Sequence, residues 1–449
     1  MKLKLTLILF SIFLLNSTIN AQEVILNEYI REGIQKNQTL KQQGFQLQKA
    51  LFALDEAKTL YSPTVNLNTT YSTAAGGRSI SFPLGDIVNP IYSTLNQLTK
   101  SQSFPAGSIP NVNEQLVPKN YYDVRFKTTM PLVNAEIKYN KAIKQEMIGL
   151  QKTEIQVYKR ELVKDIKTAY FNYLKASEAV KIYDNALKLL HESERVNQSL
   201  INNGSANPTV LVRTKNEITK IESEKLAAQA TQQNAQAYFN YLTTRDFSEN
   251  IEIDSTYSSN INWLPTLEQK NREELEKLQR GINLNRQIQG LNTAYKVPKI
   301  GIGLDLGSQG SITDIKSENL FVLLGLSMDF PVYSANRNKL KIKQTEMELA
   351  ALDTQLENVK RQLELQTQTT QNSYNASLNI YQSKQSQIES AQRYYRDIFR
   401  RYKEGQANFI ELLDAQTQIT TAELQKNLAH YDVWLKLVEL ERAKASFQL

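Results

Sequence analysis

The chain has 449 residues, no cysteine and a formal net charge of +7, and 41% of its residues are hydrophobic. This length accommodates two or three ordinary domains or one large repetitive one. Without cysteine the chain can form neither disulfides nor cysteine-ligated metal centres.

Residues 1–21 have the pattern of a secretory signal peptide. Lys2 and Lys4 form a basic start, residues 5–15 an apolar core, and Ala21 ends a small-residue cleavage site. Because an exported protein rarely meets nucleic acid, the net positive charge indicates a solvated basic surface and no nucleic-acid partner. No later run approaches 18 apolar residues, so we expect no transmembrane helix, and residence in a membrane would require a β-barrel.

Residues 22–242 are predicted to form a first repeat. Strands are expected near 64–72 and 121–130, where apolar and polar residues alternate over the length of a tilted membrane-spanning strand. The intervening residues 73–120 are rich in glycine and proline and are predicted to be an extracellular loop. The sequence does not decide whether this loop caps a pore or only decorates it.

Helices account for most of the rest of this repeat, with an early one predicted over 38–61. A long helix is predicted over 134–203, which contains no proline, and a return helix over 208–242. From Leu162 to Leu190 apolar residues are spaced alternately by four and three, the seam of a coiled coil.

A second repeat, residues 266–449, is predicted to follow an equatorial connector over 243–265. Its expected elements are a helix over 267–296, strands near 299–307 and 320–330, a long helix over 334–404 and a return helix over 409–446.

Two sequence motifs that occur in both repeats support the duplication. Pro131, Ala135 and Lys141 match Pro331, Ala335 and Lys341. At an offset of 201 a glycine motif also recurs: Gly204, Ala206, Asn207, Leu211, Ile218, Thr219 and Glu222 match Gly405, Ala407, Asn408, Leu412, Ile419, Thr420 and Glu423. Each proline is interpreted as a strand-to-helix transition, because proline cannot donate to a β-ladder, with Asn134 and Ser334 as helix N-caps.

Four strands cannot close a barrel, and open sheet edges do not persist in lipid. Two copies would give a barrel too narrow for an open pore, whereas three copies give twelve strands, an even number within the known range. The predicted fold class is therefore an α+β membrane protein: a trimeric 12-stranded β-barrel, four strands per chain, continued by a long α-helical coiled-coil periplasmic tunnel and built from two internal repeats.

The sequence resembles the TolC-like outer-membrane factor family over nearly the whole chain after residue 21. The resemblance rests on Pro131 and Pro331, on the glycine turns, and on the second-repeat pattern Arg401, Tyr402, Gly405, Leu412, Leu413, Asp414 and Ala415. It implies a homotrimeric channel in the outer membrane that extends into the periplasm. It also implies partnership with a periplasmic adaptor (membrane fusion) protein and an inner-membrane pump, in tripartite efflux or type I secretion.

The resemblance also implies functional residues. The adaptor-docking tip turns would be Gly204, Ser205, Ala206, Gly405, Gln406 and Ala407. Glu411 and Asp414 fall on acidic positions that ring the closed tip in the family, and Arg213 occupies the place in the first repeat that matches Asp414. Arg213 could therefore tie Asp414 to a partner helix pair and help to hold this periplasmic gate closed. An ordinary alternative stays open, in which Asn408 and Glu411 form a helix capping box.

No nucleophile–base pair or phosphate loop is present, so the sequence predicts neither an enzyme nor a cofactor. His191 and His430 are the two histidines and stand far apart, so no metal site is predicted. The alternative function is a soluble periplasmic coiled-coil scaffold or adaptor without a pore. That alternative explains the helices but leaves the four amphipathic strands without a purpose. A metal-specific efflux duct would need a methionine or histidine lining, of which the sequence shows no sign.

Overall fold

A computed structural model describes residues 24–116, 120–258, 261 and 267–447. The predicted signal peptide and part of the predicted connector lie outside these residues. The described chain is α+β, mostly helical, with a four-stranded and a two-stranded sheet. Its contacts divide it into two compact units, a helical unit (residues up to 51, 146–285 and from 347 onward) and a sheet unit (52–145 and 286–346).

The described residues contain these α-helices: α1 Val24–Lys36, α2 Gln38–Thr59, α3 Leu84–Thr99, α4 Ala135–Asn202, α5 Thr209–Thr243, α6 Glu273–Thr293, α7 Arg337–Lys403 and α8 Phe409–Lys444. Helices α4 and α7 have 68 and 67 residues. Neither contains a proline that would interrupt its hydrogen-bond ladder. In α4 the seam residues Leu162, Ile166 and Leu190 are 3%, 0% and 4% exposed, and most of the stripe predicted from the spacing is buried, with Val180, Tyr183 and Leu187 half-buried.

The helical unit has an aromatic core. Tyr170 of α4 and Phe239 of α5 are fully buried, with ring centres 5.7 Å apart. The Tyr170 hydroxyl donates to the carbonyl of Glu252 and accepts from the backbone N–H of Asp254. The first half of the predicted connector therefore packs into this unit, because its backbone groups find a buried partner there.

The sheet unit contains the larger sheet, whose strand order is β1-β4-β5-β6 and whose neighbouring strands are all antiparallel. The strands are β1 Thr64–Ser72, β4 Tyr121–Val133, β5 Lys299–Ser311 and β6 Leu320–Asp329. Strands β1 and β6 are its edges, and each has a neighbour on one side only among the described residues. Such an edge presents unpaired backbone donors and acceptors.

The strand register sorts the side chains onto two faces, because successive residues point to opposite sides of a strand. The apolar face carries Val65, Leu67, Phe126, Met130, Ile302, Leu304, Leu306, Val322, Leu324 and Leu326. The polar face carries Asn66, Asn68, Asp123, Arg125, Lys127, Asp305 and the glycines 301, 303 and 307. On the apolar face Val322 and Leu326 are each 72% exposed, so nothing within the described chain covers this side.

The two prolines of the repeated motif occupy different positions. Pro131 lies within β4 rather than at its end, since the strand continues to Val133 past a register shift. The partner β1 pairs only as far as Thr129, so one side of β4 is unpaired near residue 131, which is where a strand tolerates proline. Pro331 lies beyond the end of β6, between that strand and α7.

The predicted caps also differ. Asn134 accepts from the backbone N–H of Glu136 at 3.0 Å, as a cap should. Ser334 does not cap α7, which begins three residues later at Arg337. Ala335 and Asn336 have φ of +46° and +59°, so a left-handed turn intervenes and delays the helix.

The segment predicted to be a loop, 73–120, holds regular structure. Strands β2 Ser79–Phe82 and β3 Val112–Gln115 form a two-stranded antiparallel sheet, and α3 lies between them in the sequence. This helix was not predicted, because the sequence around it contains Pro83, Gly85 and Pro90, residues typical of loops. Pro83 precedes its first residue, where proline is tolerated, and the apolar residues Ile87, Ile91 and Leu98 follow helical spacing.

Candidate functional site

The two glycine turns end α4 and α7 in the same way. Gly204 and Gly405 have φ of +71° and +72°. Their backbone N–H groups, and those of the next residues, donate to carbonyls three and five positions earlier. This is the Schellman ending, in which a left-handed residue closes the last helical turn.

The residues of these turns are available at the surface. Gly204, Ser205, Gly405 and Gln406 are exposed, while Ala206 and Ala407 are half-buried. Ala407 packs on a buried cluster that includes Val196 of α4 and Tyr402 of α7. The ends of both long helices therefore belong to one end of the helical unit, which we call the tip.

Replacing Gly405 by alanine is expected to lower the free energy of unfolding by about 1 kcal/mol, because a Cβ disfavours the left-handed conformation. No heavy atom would lie within 4 Å of the added Cβ, so the cost comes from the backbone alone. Urea unfolding followed by helical circular dichroism measures it. Gly281→Ala is a control, since Gly281 lies inside α6 with equally free space. There alanine should stabilise, and equal effects at both positions would contradict the argument.

The predicted acidic pair lies in the first turns of α8. Asn408 accepts from the backbone N–H of Glu411 at 2.9 Å, and its amide donates to the Glu411 carboxylate at 2.8 Å. The capping role is thus present in the structure. It leaves the Glu411 side chain half-buried.

Asp414 lies one turn later and is exposed. Its Oδ2 atom accepts from the Gln418 amide at 2.7 Å and from the Tyr394 hydroxyl at 3.4 Å. Partial burial and the negative charge of Asp414 raise the pKa of Tyr394 above its ordinary value. Tyr394 therefore remains a neutral donor to this carboxylate at physiological pH.

Arg213 is exposed on α5, and no ion pair among the described residues joins it to Asp414. Within one chain the acidic pair therefore belongs to two separate hydrogen-bonded groups. Asp414 is bonded to Tyr394 and Gln418, and Glu411 is bonded to Asn408. Arg213 is left facing solvent.

A buried polar network at the tip was not predicted from the sequence. Asn197 of α4 is fully buried, accepts from the Tyr402 hydroxyl of α7 at 2.6 Å and donates to Thr214 of α5 at 2.8 Å. Beside it, Gln416 of α8 donates to the hydroxyl of Ser193 on α4 at 2.6 Å. These hydrogen bonds tie both helical hairpins, α4/α5 and α7/α8, to one another.

The sequence did contain a signal for this network. Continuing the four-three spacing of the α4 seam beyond Leu190 reaches residue 194 and then Asn197. A polar residue at a buried seam position fixes the register of a coiled coil at some cost in stability.

A second polar cluster lies in the helical unit. Arg442 of α8 is 8% exposed and forms ion pairs with Glu274 at 2.5 Å and Glu161 at 3.1 Å. Arg272 contacts Glu274 at 3.0 Å and donates to the carbonyl of Ala443 at 2.7 Å. The cluster secures the end of α8.

Two features are absent from the described residues. No group of three or more histidine, cysteine, aspartate or glutamate side chains could hold a metal ion. No helix among these residues is long and apolar enough to cross a lipid bilayer.

Part of the chain is similar to known outer-membrane proteins. Residues 264–445 match the model of the family described as outer membrane efflux protein. The chain is 23% identical to the outer membrane protein TolC of Escherichia coli over 330 residues, which cover 67% of this chain and 64% of TolC.

Solved structures of outer-membrane channels have a similar fold. The outer-membrane channel OprN superposes with a TM-score of 0.73 at 16% identity, over 94% of this chain and 90% of OprN. The open state of the MtrE outer membrane channel of Neisseria gonorrhoeae superposes with a TM-score of 0.74 at 14% identity, over 94% of this chain and 89% of MtrE.

Proposed function

We propose that this chain, whose residues 264–445 match the model of the outer membrane efflux protein family, is the outer-membrane channel of a tripartite efflux pump or of a type I secretion system. In this proposal it is a passive homotrimeric duct. It spans the outer membrane as a twelve-stranded barrel, extends into the periplasm, and docks a periplasmic adaptor protein that links it to an inner-membrane pump.

The four-stranded sheet carries the proposal. Among the described residues its apolar face is exposed and each of its two outer strands lacks a neighbour on one side. In water this combination invites aggregation, whereas in a closed barrel the edges pair and the apolar face meets lipid. The polar face then lines the lumen. The alternative, a soluble periplasmic scaffold, leaves both features unexplained.

The remaining parts follow from this orientation. The segment 73–120 joins the strand ends opposite Pro131 and Pro331, so it belongs on the extracellular side. The helices beyond those prolines belong in the periplasm, and the tip turns Gly204–Ala206 and Gly405–Ala407 are the proposed surface for the adaptor. Glu411, Asp414 and Arg213 are proposed to act at the gate.

The duct supplies a path rather than chemistry. Exposed carboxylates grouped in a narrow, low-dielectric passage raise the local concentration of cations. Three copies of Glu411 and Asp414 would place six carboxylates at the tip. The identity of the exported molecule then depends on the pump and not on the duct.

Mass measurement of the detergent-solubilised protein tests the assembly, and planar-bilayer recording tests the pore. We expect a trimer that conducts ions and that fractionates with the outer membrane after cell lysis. A stable monomer that keeps its strand content and is recovered in the soluble fraction would instead support the scaffold.

Replacing both Glu411 and Asp414 by alanine is expected to weaken cation selectivity and block by divalent cations, because carboxylates bridge such ions. Asp414→Ala alone should raise resting conductance, while Arg213→Ala should loosen closure and keep the cation site. Single-channel recording measures all three. Glu404→Ala is a matched control, since Glu404 is an exposed acid at the end of α7. Unchanged selectivity and block in the double variant would leave Glu411 with its capping role only.

A further inference from the structure

The polar face of the sheet holds an arginine in an unusual position. Arg125 of β4 lies directly opposite Gly307 of β5. A Cβ on Gly307 would approach the Arg125 Cβ to 2.7 Å and the Val124 carbonyl oxygen to 2.5 Å. The glycine therefore provides the space in which the arginine side chain lies along the sheet.

Two aspartates flank this guanidinium on the same face. The Oδ1 atom of Asp123 accepts a hydrogen bond from Nε of Arg125 at 2.9 Å, and its Oδ2 atom accepts one from Nη2. The contact is therefore bidentate. Asp305 of β5 lies 3.4 Å from Nη1. Bidentate pairing fixes the orientation of the guanidinium as well as its place.

The far end of the arginine reaches the next strand. Its guanidinium carbon is 5.5 Å from the ring centre of Phe321 on β6, which lies opposite Gly307. The side chains of Arg125, Asp123 and Asp305 are only 28%, 16% and 12% exposed. Arg125 thus lies flat against three strands.

The charges of this patch cancel. Lys127 lies opposite Asp305 in the strand register, so two basic and two acidic groups share one small area. Opposite charges so close together leave little net field at a distance.

We propose that Arg125 determines the ion selectivity of the barrel. This inference rests on the proposed channel, in which the polar face lines the lumen. Asp123 and Asp305 hold the guanidinium against the wall and neutralise it, so the barrel accepts charged solutes of either sign. We call this arrangement the arginine clamp. Loss of either acid would leave one uncompensated positive charge per chain at the lumen.

Bilayer recording of the native trimer and its variants under a salt gradient tests the clamp. Asp305→Asn should increase the chloride-to-potassium permeability ratio by at least about threefold, because three uncompensated charges would line one passage. Arg125→Gln should change the ratio in the opposite direction, since it leaves the aspartates in excess. Asn68→Ser is the control: Asn68 lies opposite Arg125 on β1 and carries no charge. Its ratio should equal that of the native channel.

A second readout does not depend on conductance. Phenylglyoxal modifies exposed guanidinium groups, and peptide mass spectrometry gives its rate at Arg125 in the solubilised protein. The clamp predicts slow modification in the native protein and at least about tenfold faster modification in Asp123→Asn, because Asp123 makes the bidentate contact from which the partly buried guanidinium must first be released. Equal rates, or conducting trimers whose permeability ratios are unchanged in both charge variants, would overturn the clamp. A native protein that forms no pore would contradict the proposed function, while slow modification would still support the clamp.

Discussion

Replacing Arg442 by methionine is expected to lower the free energy of unfolding by about 2 kcal/mol, because the fold loses charged hydrogen bonds but neither glutamate is left without a basic partner. Glu274 would keep only Arg272, and Glu161 would keep only Lys164. The methionine fills similar volume, so a cavity contributes little. A urea titration of the detergent-solubilised protein, followed by helical circular dichroism, measures the change.

The same variant should alter the response to acid. Burial opposes ionisation of Glu274, but hydrogen bonds from Arg272 and Arg442 outweigh it and lower the pKa of Glu274 to about 2. Its carboxylate therefore stabilises the fold above its unfolded pKa, near 4.5, and this contribution disappears as the pH falls toward 2. Arg442→Met should lose less stability over that interval than the native protein.

An exposed ion pair on α7 supplies the matched control. Lys360 and Glu357 are joined at 2.7 Å, but their side chains are 45% and 68% exposed. Lys360→Met should change the free energy of unfolding by less than about 0.5 kcal/mol, because water screens such a pair. A loss at Lys360 as large as that at Arg442 would refute the burial argument.

Replacing Asn197 by leucine is expected to destabilise the tip and to open the proposed gate. The buried Tyr402 hydroxyl would lose its acceptor, and Thr214 would lose a donor. An unsatisfied buried group costs about 1–3 kcal/mol. Since these hydrogen bonds join the α4/α5 hairpin to α7, resting conductance should rise. Single-channel recording and urea unfolding together measure the two effects.

A second substitution separates stability from gating. Adding Tyr402→Phe to Asn197→Leu removes the stranded hydroxyl, so part of the lost stability should return. The conductance should stay high, because the connection between hairpins is still missing. Gln198→Leu is the control, since Gln198 is exposed and bonds only within α4, to Asn202. Native conductance in the double variant would exclude the network from gating.

The coarse fold could be predicted because its signals are local and periodic. Alternation predicted a strand over 64–72, where β1 is found, and an uninterrupted four-three spacing predicted the helix that α4 provides. The α+β class, mostly helical with four principal strands, is confirmed. Helix α1 was missed because its 13 residues are too few for a clear period.

Two local predictions were wrong, the strand end at Pro131 and the helix cap at Ser334. Pro131 was expected to end a strand, yet whether a strand continues past a proline depends on how far its neighbour extends, here only to Thr129. After Ser334 the local signal was weak: asparagine adopts left-handed φ readily, as Asn336 does, but alanine rarely does, and Ala335 has the same conformation.

At the tip, the sequence predicted the two glycine turns and the cap formed by Asn408 and Glu411, both of which the structure contains, whereas the gate role of Glu411 and Asp414 stays a prediction. It did not identify the partners of Asp414, because Tyr394 lies on a different helix. The pairing of Arg125 with Asp305 was also hidden, since 180 residues separate them along the chain.

The unpaired edges of the sheet have a genetic consequence. If β1 of one copy must pair with β6 of the next, a cell that expresses two alleles will assemble mixed barrels. An allele with intact strands and a defective tip would then impair its native neighbours and behave as dominant. An allele whose strands cannot fold would be excluded from assembly and behave as recessive.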